Sequence, residues 1–352
     1  MKIKLFTTIV ASLFLELSCI PQAPIPAPSH PTLLNGTVAL SRSITRIPID
    51  FRPDSLYLAK NGKLLVSTPS KTVMIDNFRH AYRVTNLTEK LNPKGRNLSI
   101  YGFDGHFVLY FLDRQPAFSD GIISFGFWYF NLDSNKSKQV MDASEQFELG
   151  VPDGVLSKGT LAYIRKDGAI VVKKLNENTV IKIIPSNGEH FDSISLEGNL
   201  LTYVSSNAKV NFFNLEDGKV GLLYQTENNR IIRANLDGNY LSTIEYNSNS
   251  NIYFRILNTK NNFEDVFNNI LSNLSYKKTA LEGRLISSND KYCLFTGEKP
   301  GQLILCDLLN FKIYLIDNDE KSTWLAFSGL FWYSEKEESL NYLDFNSIDH
   351  AD

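Results

Sequence analysis

Residues 192–204 read DSISLEGNLLTYV. Two stretches rich in β-branched and aromatic residues, which favour strands, flank a Glu-Gly-Asn turn. Glycine there supplies the positive φ that a two-residue hairpin needs. The pattern recurs along the chain: SLYLAKNGKLLVS (55–67), LSIYGFDGHFVLYFL (98–112), GVLSKGTLAYI (154–164), IIRANLDGNYLSTI (231–244), RLISSNDKYCLFT (284–296) and TWLAFSGLFWYS (323–334). The turn glycines are Gly62, Gly105, Gly159, Gly198, Gly238 and Gly329, and Asn289-Asp290 fills the same slot in the sixth unit. Successive slots lie 43, 54, 39, 40, 52 and 39 residues apart. The short intervals match the roughly 40 residues of a four-stranded propeller blade.

A third strand follows most hairpins and ends in Asp or Asn, as in TVMIDN (72–77), FWYFNLDSN (127–135), VNFFNLEDG (210–218), LILCDLLN (303–310) and LNYLDFN (340–346). A fourth follows it: RVTNL, KQVMD, TVIKII, VGLLYQ and KIYLID. The seventh unit stops after its third strand near Phe345, while GTVALSRSITRI (36–47) precedes the first unit without a partner. If that strand supplies the missing fourth position, the ring closes and leaves no open sheet edge. The fold class expected is therefore all-β: a seven-bladed β-propeller over residues 36–346, closed by an N-terminal strand, with six or eight blades as alternative counts. It resembles the broad WD-repeat-like propeller class in architecture only, because the Gly-His and Trp-Asp signatures are absent. A stack of β-sandwiches is the competing reading, and one continuous period without a linker argues against it.

Two insertions break the period. DRQPAFSDG (113–121) lengthens the second unit. Residues 258–283 lengthen the fifth, and there Phe263, Val266, Phe267, Ile270, Leu271 and Leu274 recur at helical spacing. The pattern predicts a short amphipathic helix over 261–276.

The first 35 residues have a different character. Lys2 and Lys4 precede an apolar run, Leu5–Leu15, too short to span a bilayer. It has the length and flanks of a secretory signal. The run ends in Leu15-Glu16-Leu17-Ser18-Cys19, and five prolines follow by Pro31. This resembles a degenerate lipobox of bacterial lipoproteins, in which Glu16 departs from the family pattern. The resemblance implies a signal peptide at 1–18 and lipidation of Cys19, with palmitate-type acyl chains. It also implies a Pro-rich spacer at 19–35 and an exported protein anchored by lipid in the bacterial cell envelope. A secreted, soluble protein is the alternative. Residues 347–352 read as a tail.

The remaining residues point to little chemistry. The net charge of −2 gives no basic excess, so no electrostatic footprint for nucleic acid exists. Only Cys293 and Cys306 remain beyond Cys19, too few for a cysteine-built metal site. They flank a turn centred on Lys299/Pro300, so they face each other. A cross-strand disulfide and two buried free thiols both fit that position. No nucleophile elbow, phosphate-cradling loop or zinc motif appears, and no cofactor is expected. His190 with Glu189 and Asp192 (EHFD), in a connection between units, is the strongest cluster that could hold a metal or a base. A solvated loop is the plainer reading of the same residues.

Two functions are compatible with these observations. One is a tethered scaffold that binds an envelope protein or a glycan. The other is a hydrolase or lyase acting on carbohydrate or small esters, for which Asp113, Arg114, Asp120, Glu189, His190 and Asp192 would form the ligand face. The absence of a catalytic motif favours the scaffold.

Overall fold

The computed structural model describes residues 44–345, apart from 81, 93–97, 113–125, 141–153, 207, 249–251, 261–262, 266–284, 289–291, 297–301, 308–311, 318–322 and 327. Within these limits the chain forms seven four-stranded antiparallel sheets. Strands a to d of blade 1 are Ser55–Leu58, Leu64–Ser67, Thr72–Asp76 and Arg83–Asn86. Blade 2 takes Leu98–Phe103, Phe107–Leu112, Gly126–Asn131 and Lys136–Gln139. Blade 3 takes Gly154–Ser157, Thr160–Ile164, Ile170–Lys174 and Thr179–Ile184. Blade 4 takes Phe191–Glu197, Leu200–Ser205, Lys209–Asn214 and Val220–Gln225. Blade 5 takes Asn229–Asp237, Tyr240–Asn247, Ile252–Asn258 and Glu264–Asp265. Blade 6 takes Leu285–Ser288, Tyr292–Thr296, Gln302–Asp307 and Lys312–Asp317. Blade 7 takes Thr323–Ala326, Gly329–Ser334 and Ser339–Asp344, and its strand d is Ile44–Pro48 from the other end of the chain. That strand pairs antiparallel with Ser339–Asp344, from Ile44 opposite Leu343 to Pro48 opposite Ser339.

The a strands form the inner wall of the ring. Contacts link strand a of blade 1 with 2, 2 with 3, 3 with 4, 4 with 5, 6 with 7, and 7 with 1. In such a meander the a–b and c–d turns lie on one face of the ring, and the b–c and d–a connections lie on the other. The register skips one residue of strand a in blades 2, 4, 5 and 6, at Tyr101, Ser193, Ile232 and Ile286. A bulge of this kind bends a strand and increases its twist.

The cores sit between blades rather than within them. Successive side chains of a strand point to opposite faces, so one strand serves two neighbours. Leu64 and Val66 of blade 1 join Phe331, Leu340 and Tyr342 of blade 7. Leu65 between them joins Val108 and Tyr110 of blade 2. Further clusters join blades 2 and 3, 3 and 4, 4 and 5, and 6 and 7. Phe254 of blade 5 meets Phe295 of blade 6 edge-on at 6.1 Å. Central strands are therefore apolar on both faces: Leu64–Ser67 and Thr160–Ile164 are buried throughout.

Turn chemistry matches the expectation in most units. Lys158 and Gly159 both have positive φ, at 47° and 72°, the signature of a type I′ hairpin. Gly198 alone does so in its turn, at 59°, as a type II′ turn requires. Gly329 is different. It begins strand b of blade 7, and a Cβ on it would lie 2.3 Å from the Leu343 carbonyl oxygen. Close approach of strand c, rather than turn geometry, requires glycine there. The Asn289-Asp290 turn lies outside the described residues.

The helix expected over 261–276 is corrected where it is described. Glu264–Asp265 pair with Leu257–Asn258 as a short fourth strand, and Phe263 turns into it at φ 58°. The rest of that segment lies outside the described residues. Thr88–Leu91 forms one turn of helix between blades 1 and 2 and buries Leu91.

Polar ties cross the same blade boundaries as the cores. The Tyr57 hydroxyl donates to the Ile100 carbonyl at 2.8 Å, joining blades 1 and 2. The Tyr129 hydroxyl donates to the Leu175 carbonyl at 3.2 Å, joining 2 and 3. Asp104 Oδ2 accepts from the Gly159 amide at 2.5 Å. Ser193 Oγ accepts from the Ala234 amide and donates to its carbonyl, joining 4 and 5. Tyr224 Oη of blade 4 donates to Glu245 Oε1 of blade 5 at 3.1 Å. Glu245 is fully buried and also accepts from Thr243 Oγ1 at 2.8 Å and Asn229 Nδ2 at 2.8 Å, with Arg255 Nε 3.4 Å away. A buried carboxylate persists only when paired in this way.

Burial, with Tyr101 nearby, pushes the Tyr57 phenol up to about 12; burial and Glu245 do the same for Tyr224. The native state then keeps phenol protons that the unfolded chain releases above about pH 10. Stability is thus complete below that pH and falls as pH rises toward 12. Unfolding free energy measured from pH 9 to 12, beside phenolate absorbance at 295 nm, is expected to fall across this window, and the fall should be shallower in Tyr57→Phe. Flat stability, with the native phenols titrating near 10, would contradict the assignment.

Candidate binding surfaces

Glu189, His190 and Asp192 are brought together where the connection from blade 3 enters strand a of blade 4. A turn fixes the segment, with the Glu189 amide donating to the Ser186 carbonyl at 2.7 Å. His190 Nε2 lies 2.9 Å from Asp192 Oδ1, and the His190 side chain is 73% exposed. This is a solvated imidazole–carboxylate pair on the face that carries the b–c and d–a connections. Asp113, Arg114 and Asp120 lie outside the described residues, in the b–c connection of blade 2. Among the described residues no group of three or more His, Cys, Asp or Glu could hold a metal ion.

Cys293 and Cys306 stand directly opposite each other in strands b and c of blade 6, as the turn centre implied. Both are free thiols and fully buried. Burial pushes the Cys306 thiol up to about 12, and burial with Cys306 alongside also pushes Cys293 well above the usual thiol range. Thiolate is the reactive form, so both are chemically quiet. Cys19 and the Pro-rich stretch lie outside the described residues.

Two features have no signal in the linear sequence. On the a–b and c–d face, a cavity of about 400 Å³ opens between blades 6, 7 and 1. Lys60, Asn77, Arg79, His80 and Ser328 supply its polar lining, and Phe78, Tyr292 and Phe345 its aromatic lining. These residues come from separate turns that only the closed ring unites.

The second feature is the outer rim of blades 3 and 4. Strand d of blade 3 exposes Val180, Ile181 and Ile183, and strand d of blade 4 exposes Val220 and Leu222, each by 40–58%. The outer strand of blade 1 also exposes one aliphatic residue, Val84, by 46%, between Arg83 and Thr85; the described residues of the remaining outer strands are protected, as edges normally are. Blade 2 presents Lys136, Ser137 and Lys138; blade 7 has Arg46 and Pro48; strand d of blade 5 is two residues long; and Ile313 and Ile316 of blade 6 are buried. Val220 pairs with Phe213, and Lys182 of blade 3 lies over the Phe213 ring at 4.9 Å. Lys182 and Phe213 thus bridge the two blades beside Val220 and Leu222.

The chain is similar in structure to known propellers. It matches the Neurospora crassa Pan2 WD40 domain with TM-score 0.52 and 11% identity, over 88% of this chain and 98% of that one. A mitotic checkpoint complex structure matches at 0.49 and 13%, over 92% and 95%. The Myceliophteria thermophila Cps50 (Swd1) β-propeller domain matches at 0.47 and 11%, over 85% and 98%. The last two scores are too low to carry an argument, and the first shows a WD40-like fold and nothing more. No family model matches the chain, and no curated protein matches it.

The expected location, exported and lipid-anchored in the bacterial envelope or secreted, is corrected here. The comparisons find similarity to the Pan2 WD40 domain and give no support for export, a lipid anchor or a bacterial envelope. Among the described residues no helix is long and apolar enough to cross a membrane.

Thiol chemistry provides a direct check on blade 6. After denaturation without reductant, alkylation is expected to label both Cys293 and Cys306, while the native protein leaves both unlabelled. Labelling that requires prior reduction would show a disulfide and contradict the free pair.

Proposed function

We propose that this propeller is a protein-binding scaffold whose principal contact is the outer rim of blades 3 and 4. One observation carries the reading: five large aliphatic side chains stand exposed on adjacent outer strands, whereas the outer strand of blade 1 exposes one, Val84, and the described residues of the remaining outer edges are charged, short or covered. Exposed apolar surface of this kind marks an interaction site. Charge supports a partner of a particular type. Blade 3 holds Lys158, Arg165, Lys166, Lys173, Lys174 and Lys182 against Asp167 and Glu177, a formal +4 in a chain of −2. A segment that combines apolar and acidic residues fits this rim. Blade 4 holds Asp192, Glu197, Glu216 and Asp217 against Lys209 and Lys219, a formal −2, so the basic half of the rim is the blade 3 side.

The test is site-specific photo-crosslinking in the source cells from positions 183 and 220, with position 138 on the polar outer strand of blade 2 as control. Adducts of one shared mass are expected from 183 and 220 and none from 138. Ile183→Glu should abolish the adduct at 220 without moving the thermal midpoint. Equal labelling at all three positions, or an adduct of twice the chain mass, would contradict the reading. So would hydrolytic turnover abolished by His190→Ala.

A further inference from the structure

The cavity between blades 6, 7 and 1 is chemically one-sided. Among the described residues its lining contains Lys60, Arg79 and His80 and no aspartate or glutamate, the nearest acid on Arg79 being Asp344 outside the lining, in a chain whose net charge is negative. Its volume of about 400 Å³ falls within the range of small-ligand sites. Asn77 and Ser328 add neutral polar groups. Phe78, Tyr292 and Phe345 add apolar surface, the last two with ring centroids 4.3 Å apart.

The cations are differently held. Arg79 crosses from blade 1 to blade 7, where Nη2 donates to Ser328 Oγ at 3.0 Å and to Tyr342 Oη at 2.6 Å, and lies 3.2 Å from Asp344 Oδ2. Its guanidinium also lies over the Tyr342 ring at 5.3 Å. All its polar contacts with the described residues run through Nη2, which leaves the other donors of a planar five-donor fork for a ligand. These contacts fix the side chain in place, although it is still 42% exposed. Lys60 reaches across the ring to Glu197 at the end of strand a of blade 4 and is 64% exposed. Such an exposed pair is weak and exchanges readily with another anion.

We infer that this cavity is a binding site for an oxyanion carried on an aromatic or apolar body. Arg79 acts as the fixed anchor for the anion, and Lys60 swings from Glu197 to complete the charge balance. Phe78, Tyr292 and Phe345 receive the body. A carboxylate and a phosphate ester share this chemistry. The site is independent of the blade 3 and 4 rim, because it lies on another part of the ring and uses none of its residues.

The test is calorimetric titration of the full chain with phenyl phosphate, phenylacetate and benzyl alcohol. Both anions are expected to bind, and the alcohol at least about tenfold more weakly. Lys60→Gln should weaken anion binding about fivefold, the ~1 kcal/mol of one partly solvated charge contact. Glu197→Gln should strengthen it, because it releases Lys60. Arg79→Gln should weaken it more than Lys60→Gln, and Arg79→Lys should recover part of the loss. Lys71→Gln, on the opposite face, should change nothing. Tighter binding of phenyl phosphate than of phenylacetate assigns the phosphate class, and the reverse assigns the carboxylate class. No binding of either anion at millimolar concentration, equal binding of the alcohol, or unchanged affinity in Lys60→Gln and Glu197→Gln would overturn the site.

Discussion

Closure of the ring is the constraint on which the rest of this structure depends. Each blade is a four-stranded sheet with apolar side chains on both faces, and it has no core of its own. Leu64 and Leu65 are neighbours in one strand yet belong to cores on opposite sides of blade 1. A blade becomes stable only when a neighbour covers each face, and in a ring every blade must have two. Blade 7 reaches that state by borrowing Ile44–Pro48. Ile47 of that strand is fully buried among Leu64, Val73, Phe331 and Tyr342. One strand therefore completes the sheet of blade 7 and helps cover the face of blade 1.

Polar contacts reinforce the boundaries that apolar packing defines. Tyr57, Tyr129 and Tyr224 each place a ring against a core and a hydroxyl across it, the dual use that suits tyrosine to interfaces. Arg79 does the same at the closure seam, where it joins blade 1 to Ser328, Tyr342 and Asp344 of blade 7. The anion site inferred here lies over this seam. A ligand that engages Arg79 would bind the closed ring better than an opened one, and so would favour closure by mass action.

Much of the fold was legible because a blade imposes the same local demands each time. Apolar stretches at a fixed interval, Gly or Asn-Asp between the first two, and Asp or Asn after the third are short-range signals that need no knowledge of neighbours. The closing strand was legible by elimination, since one strand was left over at one end and one position was empty at the other. One reading failed for a physical reason, and another departs from the structure only over the three residues described. Gly329 looks like a turn glycine, yet its requirement comes from the Leu343 carbonyl, which lies in another strand. The helical spacing that begins at Phe263 is real as a pattern, but the pairing of Glu264–Asp265 with Leu257–Asn258 outweighs it there. Glu189, His190 and Asp192 could be grouped because they are close in sequence. Lys60, Arg79, Tyr292 and Ser328 could not, because only the ring brings those turns together. Glu245 could not be singled out either, because its partners Tyr224, Asn229, Thr243 and Arg255 come from several strands of two blades.

The similarity to the Pan2 WD40 domain at 11% identity shows how little sequence this architecture demands once the pattern is met. What it demands instead is closure, and closure can be measured. Amide hydrogen exchange of the full chain should be compared with that of a chain lacking residues 1–48. If Ile44–Pro48 latches the ring, its removal makes Ser339–Asp344 an open edge. Protection should then collapse in that strand and in Leu64–Ser67 across the seam, while blades 3 and 4 lose least. Unchanged protection in both strands, with an unchanged thermal midpoint, would show that the ring holds without its latch and would contradict the account.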